Sequence, residues 1–198
     1  MNWLAHVVLA GDHPATRLGA LLADTVGRDI SRFPVEFRDG IVGHRRVDGW
    51  LESHAVARSS RRRLVRLRQR YAGIALDFLI DHQLSVHWEH WYAVPLPEWE
   101  RDFVASAQPW ITDLDLPGPA LDLWQWATRH QILARYGDRD ILCDAMGRYS
   151  RRMEARLGVP VDLTVALDDF DEQRTLFLSD FQSLWTEAMA TMGTRSAH

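Results

Sequence analysis

The chain has 198 residues, 46% of them apolar, with nine tryptophans and a formal net charge of −4, which suits one globular domain around a single core and gives no case for general nucleic-acid binding. Cys143 is the only cysteine, which excludes an internal disulfide. No run approaches the roughly 18 apolar residues of a membrane span, and the start, Met1-Asn2-Trp3-Leu4-Ala5-His6, lacks the basic flank of a signal peptide, so a soluble, cytoplasmic protein is expected.

The elements are punctuated as helices. Leu18 to Asp24 reads as a helix ended by Gly27, and Pro34 opens a segment running to about His54. A long helix follows, on which Leu64, Leu67, Tyr71, Ile74, Phe78 and Asp81 form one stripe at steps of three and four. Pro97 opens another helix to about Ile111, and Asp113 to Pro119 is a loop. Helical patterning resumes from about Leu121 to Tyr136 and from Asp138 to Leu157, where Gly158-Val159-Pro160 stops it. A last amphipathic segment spans about Leu167 to Met189, and Gly193 to His198 reads as a disordered tail after a single domain over 1–192. Strand alternation is nearly absent, so the expected fold is an all-α bundle of about seven or eight helices.

Several ionisable residues fall on inward faces. Phe37, Ile41, His44, Asp48 and Leu51 share one face of the Pro34 helix. The pattern taken alone favours a buried histidine bonded to an aspartate one turn on, with a ligand pair as the alternative. Asp81 ends the Leu64 stripe with His82 beside it, and a carboxylate there needs a cation, a metal or a proton; an arginine from a neighbouring helix would also serve. Asp24 sits in the last turn of its helix, where the macrodipole disfavours negative charge and a nearby cation would offset it; an ordinary exposed aspartate near a helix end fits the same position. His6 follows a short apolar start. Three segments placing Asp or His inward is how helical bundles build metal sites, and carboxylate with imidazole suits Mn²⁺ or Mg²⁺. Arg45 and Arg46, next to His44, are candidates for bidentate phosphate binding, although both also fit surface ion pairs.

Met1-Asn2-Trp3-Leu4-Ala5-His6, Leu21-Leu22-Ala23-Asp24, His44-Arg45-Arg46-Val47-Asp48 and Asp81-His82 resemble the acyl carrier protein phosphodiesterase (holo-acyl carrier protein hydrolase) family. Weaker echoes are Leu133-Ala134-Arg135-Tyr136 with Asp138, and the stretch from Met146 to Arg152. The resemblance implies a helical fold related to the HD-type metal phosphohydrolases. It implies Mn²⁺- or Mg²⁺-dependent hydrolysis of the phosphodiester joining 4′-phosphopantetheine to a serine of holo-acyl carrier protein. It carries over Asp24 as an essential acid, and His6, His44, Asp48, Asp81 and His82 as members of the site. On that basis His6, Asp24, Asp81 and His82 hold metal; Asp24, His44 and Asp48 are catalytic; Arg45 and Arg46 bind phosphate.

All 23 basic residues are arginine, and Arg58 to Arg70 holds seven arginines with no acid. Arg58, Arg62, Arg66 and Arg70, four apart, would form a ridge docking an acidic carrier protein, or a solvated face paired with the chain's own 27 acids. Two other readings compete. An HD-type phosphohydrolase acting on nucleotides or other small phosphodiesters would use the same metal residues without the ridge. A non-enzymatic helical adaptor would have its Asp and His paired in the core, with no metal.

Overall fold

Helix starts and stops follow local chemistry closely enough to place the site. In the computed structural model, which describes residues 3–192, Pro34 precedes α3 (Val35–Ser53) and fixes its entry, and His54 then turns extended. The His54 ring accepts the N–H of Val56 at 3.2 Å and so starts α4 (Ala55–Arg63). Before them lie α1 (Trp3–Leu9) and α2 (Pro14–Leu22). After them come α5 (Gln69–Val86), α6 (Trp88–Trp91), α7 (Leu96–Asp113), α8 (Gly118–His130) and α9 (Ile132–Arg135). The chain continues with α10 (Arg139–Leu157), α11 (Ala166–Glu172) and α12 (Arg174–Thr191). The Asp138 carboxylate caps α10, and Gly158, in the left-handed region at φ 67°, closes it. The described residues contain helices and no strands, and no helix is long and apolar enough to cross a membrane. Met1 and Asn2 of the amino-terminal match, and the tail expected at 193–198, lie outside the described residues.

The described residues form twelve helices in place of the expected seven or eight. Three expected segments are broken at places no Pro or Gly marks. Residues 64–68 separate α4 from α5, Gln131 takes a left-handed conformation at φ 48° between α8 and α9, and Gln173 separates α11 from α12. The first break is made by tertiary contact. Asp169, fully buried on α11, accepts the Arg66 backbone N–H at 2.9 Å and its guanidinium at 2.5 Å, while Leu64 and Leu67 turn into the core. Two buried side chains and a charged hydrogen bond outweigh the propensity to continue a helix, worth tenths of a kcal/mol per residue.

The site rests on the crossing of α2 and α3, and two glycines allow it. A Cβ on Gly19 would lie 2.0 Å from the Phe37 carbonyl oxygen, and one on Gly40 would lie 2.0 Å from that of Thr16. The two backbones meet where any side chain would part them. Propensity alone favours Gly40→Ala by about 1 kcal/mol. Overpacking against backbone costs more, and the expected result is a net loss of about 2 kcal/mol or more in urea unfolding. A variant at least as stable as the wild type would contradict this account of the crossing.

Candidate active site at the meeting of three helices

His6 on α1, and His44 and Asp48 on α3, meet beside Asp24, which follows the end of α2. The His6 and His44 rings stack at 3.7 Å between centroids, tilted by 14°. Asp48 spans both: its Oδ1 lies 3.1 Å from His6 Nε2 and its Oδ2 3.2 Å from His44 Nε2. Asp24 Oδ1 approaches the same His44 nitrogen at 3.6 Å. His44 Nδ1 donates to the Ala20 carbonyl at 2.8 Å. That bond fixes the tautomer and leaves Nε2 facing the carboxylates. Both imidazoles are buried, whereas the Asp48 and Asp24 side chains are 47% and 57% exposed. The site therefore has a closed nitrogen side and an open oxygen side. The sequence places Asp24 in the last turn of its helix; the structure ends α2 at Leu22, so Asp24 lies just past the negative end of the dipole.

The charges are strongly coupled. Burial opposes a proton on His44, but the Asp24 and Asp48 carboxylates beside its Nε2 overcome it and push His44 up to about 9. Burial opposes charge on Asp48 too, yet the two histidines hold it far below the usual carboxylate range. The neighbouring His44 likewise lowers Asp24. Burial keeps His6 low against the pull of Asp48. Without an ion the group is one imidazolium between two carboxylates, stacked on a neutral imidazole.

His6, His44 and Asp48 each offer a ligand atom within 4.8 Å of the others. Among the described residues, both ring nitrogens of His6 lack a hydrogen bond, since Asp48 Oδ1 is near Nε2 but off its donor direction. A buried imidazole with no aligned partner is costly as a structural residue and suited to a ligand. Two imidazole nitrogens and a carboxylate match the donors of a borderline divalent ion. The residues present fit such a group.

Other residues singled out from the sequence have different partners. Asp81, fully buried, accepts the backbone N–H of Leu4 at 3.0 Å on Oδ2 and that of Ala5 at 2.9 Å on Oδ1. It anchors the start of α1, and neither a metal nor the arginine of the paired-core reading is needed to explain its burial. His82 bonds through Nδ1 to the Tyr136 carbonyl at 2.8 Å and meets Phe170 edge-on. Arg45 donates to the Gly27 carbonyl at 3.2 Å and Arg46 to that of Met192 at 3.4 Å, so neither guanidinium joins the His and Asp cluster. The expected ridge is not one face of one helix. Arg58 and Arg62 lie exposed on α4, Arg66 is tied to Asp169 and Glu172 in the break, and Arg70 stacks over Tyr71 on α5 at 4.6 Å.

The open side leads into a cleft of about 790 Å³ that Asp24 and Thr25 line on one side. Trp3, Phe78, Trp126, Tyr136 and Tyr149 form much of its wall. These residues come from distant parts of the chain, and no spacing rule brings them together. The buried Tyr136 hydroxyl has no hydrogen-bond partner among the described residues.

Residues 1–188 match the family model described as acyl carrier protein phosphodiesterase. Proteins bearing that name are similar over most of the chain. One from Yersinia pestis is 27% identical, covering 95% of this chain and 97% of its own. One from Klebsiella pneumoniae subsp. pneumoniae is 32% identical over 87% and 91%. One from Escherichia coli O139:H28 is 32% identical over 95% and 97%. No solved structure matches the chain. On this coverage and identity, the chain belongs to the acyl carrier protein phosphodiesterase family.

Proposed function

We propose that the protein hydrolyses the phosphodiester joining 4′-phosphopantetheine to the serine of holo-acyl carrier protein, using Mn²⁺ or Mg²⁺, in a cytoplasmic setting. Water adds to phosphorus and the bond from phosphorus to the serine oxygen breaks. The products are apo-acyl carrier protein and free 4′-phosphopantetheine. The observation that carries this reading is the stacked His6–His44 pair spanned by Asp48, with Asp24 at the mouth of the cleft. A histidine and aspartate donor set in a helical bundle is also what supports a relation to HD-type phosphohydrolases.

A divalent ion bound there would acidify a water molecule and draw charge from the phosphoryl oxygens. The protein's own groups do the rest. His6, His44 and Asp48 would hold the ion, and the Ala20 carbonyl keeps the His44 lone pair on Nε2. Asp24, the more exposed acid, is placed to orient the attacking water and take its proton. The buried histidine side excludes bulk water from the nitrogen ligands.

The test is incubation of holo-acyl carrier protein with the protein and Mn²⁺, followed by intact-mass analysis of the carrier. Loss of the arm is expected with Mn²⁺, and not with chelator or with Asp24→Asn, which should keep its helical circular dichroism. Release that survives chelation would rule out the metal, and a carrier mass unchanged by the wild type would rule out the activity.

A further inference from the structure

One wall of the cleft carries charge that bond cleavage leaves unused. Arg148, Arg152 and Arg156 follow at steps of four along α10, so they share one face, and all three are exposed and line the cleft. Two such steps span about 12 Å. None of the three forms an ion pair among the described residues, whereas Arg63, Arg66 and Arg139 are each tied to a carboxylate. Arg148 lies 5.9 Å from the centre of the Trp126 ring, which steadies its guanidinium while leaving its donors available. The acids on the lining are Asp24 and Asp122. A row of unpaired guanidiniums is suited to carboxylates or phosphates. Its length exceeds one phosphodiester and matches a helix face with acids one turn apart. The cleft is far larger than a phosphodiester group, and its aromatic wall would accept an extended arm lying between the row and Asp24.

We infer that this face docks the protein substrate: the α10 arginines engage an acidic segment of the carrier protein, and the aromatic cleft takes the arm so that its phosphodiester reaches Asp24. The inference rests on the proposed activity and replaces the ridge from Arg58 to Arg70 as the docking surface.

The experiment compares two charge reversals, Arg152→Glu with Arg156→Glu on α10, and Arg58→Glu with Arg62→Glu on α4, outside the cleft lining. Binding of apo-acyl carrier protein, which has no bond to break, is measured by titration calorimetry at low and high salt. KM is measured with holo-acyl carrier protein. The α10 pair should weaken apo-carrier binding about tenfold or more, lose most of its salt dependence and raise KM in step. The α4 pair should bind like the wild type. Wild-type affinity and salt dependence in the α10 pair, equal losses in the α4 pair, or no binding of apo-carrier by the wild type would each overturn the docking face. A wild type that binds apo-carrier in the salt-dependent, α10-dependent way but leaves holo-carrier intact would support the face and remove the proposed activity.

Discussion

Asp48→Asn is expected to lower turnover of holo-acyl carrier protein by about 100-fold or more, with the helical fold kept. Loss of an oriented partner of a metal ligand commonly costs 10–100-fold, and Asp48 has a larger part, since its two oxygens reach both histidines. Asparagine preserves the shape but turns an amide N–H₂ towards one imidazole and removes the charge that favours a cation. A pH signature separates this from a generic packing defect. His44 is raised from 6.5 to about 9 in the folded protein, so the folded state holds a proton that the unfolded chain releases. That stability is fully present below about pH 6.5 and is lost as pH rises through 9. In chelator, the wild-type Tm should decline across this interval. Asp48→Asn removes one of the two carboxylates that raise His44, so its decline should be shallower. Mn²⁺ bound at the proposed site would displace the proton, so its affinity should increase over the same interval. Wild-type turnover in the variant, with an unchanged Tm profile in chelator, would remove Asp48 from the site.

What could be read in advance follows from the range of each signal. His44 and Asp48 are four residues apart on an amphipathic helix, and the i, i+4 rule places them together without tertiary knowledge. Pro34, Asp138 and Gly158 are local markers, and α3 and α10 start and stop where they indicate. Periodicity also put Asp81 on an inward line, and it is fully buried. Its partner, the start of α1, is 76 and 77 residues away and is backbone, which side-chain patterning cannot show. Arg66 misled for a related reason. Its spacing from Arg62 and Arg70 fits a continuous helix, but Asp169 of α11 captures it and the helix breaks. The row at Arg148, Arg152 and Arg156 has the same four-residue spacing and does lie on one helix. Nothing local separates the two rows, because only the fold decides which guanidiniums meet a carboxylate.

Asp81→Ala should be the most damaging change outside the histidine and aspartate cluster. Burial raises its carboxyl to about 7 despite the opposing pull of the Ala5 and Leu4 amides. Ionisation is therefore not what keeps it in the core; acceptance of two α1 N–H groups is. Alanine leaves both donors buried without acceptors, at about 1–3 kcal/mol each, and opens a small cavity. The expected loss in denaturant unfolding is roughly 2–6 kcal/mol. Asp81→Asn keeps one carbonyl acceptor and should lose less. Hydrogen exchange should quicken first at Leu4 and Ala5, because the start of α1 frays once its anchor is gone. His6 is the next residue, so turnover should fall although Asp81 touches none of the cluster. Metal should still raise the Tm of the alanine variant, since His44, Asp48 and Asp24 remain, and free ion at 100 times Kd stabilises by about 2.7 kcal/mol. Full metal-free stability, intact protection at Leu4 and Ala5, and no metal-induced rise would instead make Asp81 a ligand. Slow exchange at those two amides in the alanine variant would alone be enough to reject the anchor.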